Sequence, residues 1–210
     1  MPLPHSLGAA RPRPLRRAEI FARAKLPSRY GDFEIVSFTR EDGSTLDDVA
    51  IVRGDLAGGE GVPTRVHSEC LTGDVFGSKR CDCREQLELA LQRFASVEVA
   101  VIIYMRQEGR GIGIAHKVRA YALQEQGLDT VEANLHLGFD SDLRDYASAA
   151  AMLRALGVVS VALHTNNLKK VDGLREHGMP VVERISIQSD PSEHNERYLA
   201  TKREKCGHLL

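Results

Sequence analysis

The sequence has no tryptophan, an aromatic share of only 5%, and no long apolar run. Its longest nearly unbroken apolar stretch, Val99 to Met105, falls far short of the roughly 20 residues that span a bilayer. The first residues carry arginines but neither an apolar stretch nor a small-residue cleavage site, so no secretory leader is expected. Cysteine is scarce: four residues at irregular spacing point to reduced thiols rather than a disulfide framework. Eight prolines and 18 glycines are ordinary usage, which excludes a collagen-like or low-complexity chain. A cytoplasmic protein without a membrane partner is the expectation.

What is present suits a globular enzyme-sized unit. The 210 residues are 42% hydrophobic and 27% charged, enough to bury a core without staples. The net charge of -1 hides an asymmetry, because residues 1–30 hold seven basic residues and one acid, Glu19. The remaining 21 basic and 28 acidic residues give the body a net charge of -7. An acidic body argues against a nucleic-acid partner bound by broad phosphate neutralisation. The basic head also carries Pro2, Pro4, Pro12 and Pro14, which break helices. Residues 1–20 are expected to form a mobile basic tail ahead of one compact unit over 21–210.

From Phe33 the pattern becomes regular. Phe33–Thr39 and Asp48–Arg53 read as strands around the turn Glu41-Asp42-Gly43, and Pro63–His67 as another after a glycine-rich turn at Leu56–Gly61. Leu87, Leu91 and Phe94 recur at helical spacing in Glu85–Ala95. Val97–Tyr104 is a Val/Ile run suited to a strand buried on both faces. Helices are expected over Ile114–Gln126, Asp142–Leu156 and Leu168–His177, with strands at Val158–His164 and Pro180–Ile185. Ser192–Leu210 reads as a polar tail with a short helix. The fold class is thus mixed: a strand-rich α+β front half packed with a βα-alternating, α/β back half.

Cys70, Cys81 and Cys83 form the strongest chemical signal. The Cys-Asp-Cys pair stands just before a helix, whose N-terminus favours thiolates. Three thiolates suit Zn²⁺ and leave a fourth position for water. Inert packing, or a closed structural site completed by His67 or Cys206, are the alternatives. A second signal is Arg106-Gln107-Glu108-Gly109-Arg110-Gly111-Ile112-Gly113, between a buried strand and a helix. Its glycines let backbone N–H groups approach an anion, and its arginines can pair with phosphate. Thr165-Asn166-Asn167 lies at a strand-to-helix turn, where α/β folds place ligands. Taken alone, Asp140, Asp142, Arg144 and Asp145 read as a helix cap or a solvated face.

Together these segments resemble the GTP cyclohydrolase II family, which opens riboflavin biosynthesis. The resemblance runs through Arg65-Val-His-Ser-Glu-Cys70, Arg80-Cys-Asp-Cys83, Arg106 to Gly113, Arg119 to Gln124, Asp129 to Asn134, Leu137-Gly-Phe139, Thr165-Asn-Asn167, Lys170-Val171 and Gly207-His-Leu-Leu210. It implies zinc on Cys70, Cys81 and Cys83, one ion per subunit. GTP contacts are implied at Arg65, Val66, His67, Ser68, Glu69, Gln86, Glu108, Gly109, Arg110, Thr130, Thr165 and Lys170. An acid–base role falls on Asp142, an α-phosphate nucleophile on Arg144, and a residue needed for complete ring opening on Tyr121. Mg²⁺ with the triphosphate and a homodimer are implied as well.

The implied reaction is hydrolysis of GTP to formate, pyrophosphate and a diaminopyrimidine ribosyl phosphate. Two alternatives stand beside it: a paralogue that stops at the formamide intermediate, and a non-catalytic GTP-binding zinc protein. The chain departs from the family pattern at Arg84, where glycine is usual, at Leu135-His136, at Leu168 and at Cys206. Were φ positive at position 84, Arg84 would strain the metal loop. From the length, no fused second enzyme of the pathway is expected.

Overall fold

The computed structural model describes residues 15–188 together with Ala200, Thr201, Arg203 and Leu209. Most of the expected tail at Ser192–Leu210, with Cys206 in it, lies outside the described residues, as do residues 1–14. Seven strands, β1 (Ala18–Ser28), β2 (Gly31–Arg40), β3 (Thr45–Arg53), β4 (Val62–Ser68), β5 (Ala100–Met105), β6 (Val161–His164) and β7 (Val181–Ile185), build one sheet. The helices are α1 (Cys83–Ala95), α2 (Gly113–Glu125), α3 (Thr130–His136), α4 (Ala147–Ala155) and α5 (Leu168–Glu176).

The spatial order is β1-β2-β3-β5-β4-β6-β7. Pairing is antiparallel from β1 through β3 to β5, and parallel from β5 through β4 and β6 to β7. The strand-rich front and the βα-alternating back therefore share one sheet, the mixed class expected. β4 is the turning point of the winding. The chain leaves it through α1 to reach β5 on one side, then returns through α2, α3 and α4 to β6 on the other. Such a switch opens a crevice beyond the carboxyl ends of the parallel strands.

Apolar layers cover both faces of the sheet. Met152, Leu153 and Leu156 at α4 and Leu174 of α5 pack with Val36, Phe38, Val101 and Ile103 on one face. Phe94 and Ala90 of α1 pack with Phe33, Ile102 and Ile187 on the other. Four of the five alanines of α4 (Ala147, Ala149, Ala150 and Ala151) are buried, which lets that helix lie close to the strands.

Three stretches differ from the sequence reading. β1 is a strand that the reading lacks, and its first residues, from Ala18, lie within the expected tail. Nearly all its side chains are exposed, so it carries no alternation; it pairs with β2 from Ala18↔Arg40 to Ser28↔Gly31. α3 was also not expected. It is a short helix started by Asp129, whose carboxylate accepts from Val131 and Glu132 N–H while Glu132 reaches back to the Asp129 N–H. The helix expected from Asp142 begins only at Ala147. Asp142 and Asp145 accept from the N–H groups of Arg144 and Ala147, local bonds that compete with helix.

Candidate active site

The loop after β4, the start of α1 and the face of α2 meet at the cysteines. The Sγ atoms of Cys70, Cys81 and Cys83 lie within 4.8 Å of one another, with Cys70 and Cys81 3.6 Å apart. Ligands about 2.3 Å from a tetrahedral zinc stand about 3.7 Å apart, so the three sulfurs fit such an ion. Gly73, in a π turn at Leu71–Val75, makes the space: a Cβ there would stand 3.1 Å from Cys81 Sγ and 3.2 Å from Cys70 Sγ. His67 is not part of the group, because its Nε2 faces Asp74 Oδ2 at 3.0 Å and its ring stacks on Tyr104. Among the described residues the cluster is three cysteines, which leaves the closed site with His67 without support.

Electrostatics mark Cys70 as the thiolate of the three. Hydrogen bonds from Cys81 and then Cys83 pull its pKa far down, and Lys117 adds to the effect. In turn the Cys70 sulfur pushes Cys81 up to about 11 and Cys83 well above the usual thiol range. Lys117 Nζ lies 3.1 Å from Cys70 Sγ and 2.7 Å from Glu108 Oε1. Burial acts to lower the pKa of Lys117, but the Cys70 thiolate and Glu108 outweigh it and hold the ammonium charged. Glu108 also accepts from Leu71 N–H at 2.6 Å and Gly109 N–H at 2.7 Å, so its carboxylate ties the glycine loop to the cysteine loop.

The cysteines open into a cleft of about 120 Å³. Ser68, Glu69, Glu108, Gly109 and Arg110 line it from the β4 and β5 loops; Tyr121, Thr130 and Arg144 line it from beyond. A neighbouring cavity of about 70 Å³ is lined by Arg65, His67, Gln86, Thr165 and Lys170. Ser68, Cys83 and Arg144 belong to both walls. Two of the expected residues reach neither cavity. Val66 is fully buried in β4 and offers its carbonyl to Lys170 Nζ at 2.7 Å, and Asp142 stands behind Arg144.

Asp142 grips Arg144 in a two-pronged pair, with Nε at 2.8 Å from Oδ1 and Nη2 at 2.7 Å from Oδ2. Burial would raise the carboxyl pKa, but Arg144 outweighs it and keeps Asp142 below its ordinary value. Gly111 sits against Leu143, and Leu143 N–H donates to the Arg110 carbonyl at 3.0 Å, so the glycine loop seats the segment that carries this pair. Tyr121 Oη is 3.1 Å from Thr72 Oγ1, and burial raises its pKa, so the phenol keeps its proton at neutral pH. Arg65 bonds Gln86 Oε1 at 2.6 Å and the His164 carbonyl at 3.0 Å; burial lowers its pKa to about 10, which leaves it charged.

Sequence reasoning missed Lys117, Thr72, Asp74 and Arg80. Lys117 stands four residues before Tyr121 on the same face of α2, a spacing that would have found it. The guanidinium of Arg80 lies 4.9 Å from the centre of the Tyr121 ring, a contact no local pattern encodes. Of the departures, Arg84 lies in the first turn of α1, pairs with Glu88 at 3.0 Å, and has no positive φ, so no strain reaches the metal loop. Leu135 and Leu168 are exposed and line neither cavity.

Residues 19–186 match the family described as GTP cyclohydrolase II. A GTP cyclohydrolase-2 of Picrophilus torridus is 50% identical over 192 residues, covering 91% of this chain and 99% of that one. Another, from Aeromonas hydrophila, is 50% identical over 191 residues, covering 91% and 96%. The riboflavin biosynthesis protein RibBA of Endomicrobium trichonymphae is 50% identical over 200 residues, which are 93% of this chain but 49% of RibBA. The chain thus spans about half the length of the RibBA relatives and nearly all of the GTP cyclohydrolase-2 relatives. A solved structure, the two-domain 3,4-dihydroxy-2-butanone 4-phosphate synthase RibBX of A. baumannii, covers 83% of this chain and 41% of that one at 18% identity. Its TM-score of 0.41 is too low to carry an argument. On the family match and the two relatives matched over nearly their whole length, this chain belongs to the GTP cyclohydrolase II family.

Proposed function

We propose that this protein hydrolyses the imidazole ring of GTP, releasing formate and pyrophosphate and leaving a diaminopyrimidine ribosyl phosphate for riboflavin biosynthesis. The observation that carries this reading is the three-cysteine cluster opening into a cleft walled by Tyr121, Arg110 and Arg144. Cys70, Cys81 and Cys83 are the residues to hold Zn²⁺, which with three protein ligands supplies a Lewis acid and an acidified bound water. Mg²⁺ belongs to the triphosphate as its counter-ion.

The remaining chemistry rests on the chain's own groups. GTP is to lie with the imidazole carbon of its base over the cysteines and its phosphates past Arg144, toward the charged side chains Arg65, Arg110 and Lys170. A guanidinium that stays protonated is a poor nucleophile, so Arg144 is assigned to neutralising charge at the α-phosphate, aimed by its grip on Asp142. Asp142 stays ionised at neutral pH and lies behind Arg144, so the acid–base role that the family resemblance gives it would have to act through the guanidinium it holds. Tyr121 holds a proton beside the cluster, ready for the step that completes ring opening. Ser68, Glu69, Thr130 and Thr165 line the path as polar contacts, with His67 and Gln86 behind them.

A homodimeric, cytoplasmic enzyme is part of the same reading; no helix of the described residues is long and apolar enough to cross a membrane. The test is zinc-replete protein with GTP and Mg²⁺, following formate, pyrophosphate and the nucleotide by mass. Formate and pyrophosphate in equal amounts are expected, with both lost in Cys81→Ser together with its zinc. A product retaining the formyl group would identify a truncated reaction instead, and bound but unchanged GTP would overturn the enzymatic reading.

A further inference from the structure

Asn134 lines the cleft from α3 and plays no part in the scheme above. Only 2% of it is exposed, and its Nδ2 is buried with no hydrogen-bond partner among the described residues. A buried amide donor left unpaired is costly, so such a group calls for a partner that arrives later. The position is fixed rather than loose. The reciprocal Asp129–Glu132 cap pins the start of α3, and Thr130 and Asn134, one turn apart on one face, both line the cleft.

The neighbours say which part of a ligand belongs there. Much of the cleft wall is charged, at Glu69, Arg80, Glu108, Arg110, Lys117 and Arg144, and suits phosphate and metal chemistry. Ile112, Ala120 and Tyr121 give the same cleft apolar wall, and Asn134 adds a neutral, directional group to it. An uncharged ring with a hydrogen-bonding edge suits such a lining. With the imidazole carbon over the sulfurs, the six-membered ring points away from them. Its strong acceptor is the carbonyl oxygen O6, while its N1–H and amino group are donors that cannot satisfy Nδ2.

We propose that Asn134 is a specificity-determining residue whose carboxamide donates a hydrogen bond to the O6 carbonyl of the substrate base. The proposal rests on the reading of the protein as a GTP enzyme. It explains selection of a 6-oxopurine: a 6-aminopurine turns a donor toward Nδ2 and leaves both donors unpaired.

The test is equilibrium binding of three nucleotides to zinc-replete protein. They are GTP, inosine triphosphate, which keeps the carbonyl and lacks the amino group, and 2,6-diaminopurine riboside triphosphate, which replaces the carbonyl with an amine. Wild-type protein is expected to bind the first two well and the third at least roughly ten-fold less tightly. Asn134→Ala is expected to weaken GTP and inosine triphosphate by roughly ten- to a hundred-fold and to leave the diaminopurine nucleotide unchanged, which closes the gap. Asn134→Asp, of the same size with an acceptor in place of the donor, is expected to favour the diaminopurine nucleotide, and it carries the test should the alanine variant fail to fold. Discrimination that survives in these variants overturns the role of Asn134 while GTP hydrolysis by the wild type stands. A wild type that neither binds nor hydrolyses GTP overturns the functional reading and this proposal with it.

Discussion

At the scale of single residues, Arg110 shows strain stored at the site. It is the only non-glycine residue among those described with positive φ, at 62°, between Gly109 at 63° and Gly111 at 90°. A side chain in that left-handed region costs about 1 kcal/mol, and the contacts of its carbonyl with Leu143 and of its guanidinium with Ser141 hold it there. Arg110→Gly is therefore expected to weaken GTP binding by ten-fold or more while the unfolding free energy stays level or rises. Urea unfolding beside nucleotide titration checks this, and a loss above about 1 kcal/mol would make the side chain structural instead. His164 contributes to the pH dependence of stability, as does His67, whose pKa burial also lowers. Burial lowers the His164 pKa to about 4, so between pH 6.5 and 4 the unfolded chain binds a proton that the native state refuses. Its contribution is complete above pH 6.5 and is lost as pH falls toward 4. His164→Gln is expected to flatten that slope in unfolding curves taken at pH 7 and pH 4.5. Equal slopes would place the acid sensitivity elsewhere.

At the scale of elements, what could be read in the sequence divides along a physical line. Strands with one or two buried faces and helices with an apolar stripe announce themselves: β5, with five of its six residues buried, and α1, with Ala90 and Phe94 inward, lie close to their expected places. β1 has neither face buried, and α3 depends on a capping box rather than on a stripe, so hydrophobic periodicity is silent on both. Within the site, Cys70, Cys81 and Cys83 were legible because metal chemistry fixes residue type and spacing. The Lys117–Glu108 tie and the split of the expected contacts over two cavities were not, since they follow from tertiary packing alone. The π turn at Leu71–Val75 gives an element-scale test. Gly73 has no positive φ, but a Cβ would crowd two sulfurs and Cys83 Cβ at 3.1 to 3.3 Å. Gly73→Ala is expected to lower bound zinc well below one per chain while circular dichroism and the melting transition remain native in form. Full zinc content in that variant would show that the turn yields.

At the scale of the whole molecule, the question is whether the cysteine cluster holds the fold or the fold holds the cluster. In a small zinc domain the metal supplies the folding free energy, and removing it unfolds the chain. Here the sheet is covered on both faces by apolar layers that do not include the cysteines, built from Phe38, Ile103 and Met152 on one side and Phe33, Phe94 and Ile102 on the other. The cluster lies outside both, at the carboxyl end of β4, tied to the glycine loop through Lys117 and Glu108. A strong chelator is therefore expected to abolish GTP turnover and to lower the melting temperature by only a few degrees, leaving a cooperative transition and the far-ultraviolet spectrum in place. That loss fits about 1–2 kcal/mol for a chain of this size, the worth of a loop and its charge pairs rather than of a core. Added zinc should restore both turnover and melting point. If chelation instead flattened the transition and exposed the apolar layers to a hydrophobic dye, the metal would be a structural keystone, and the open fourth position that the catalytic reading needs would lose its support.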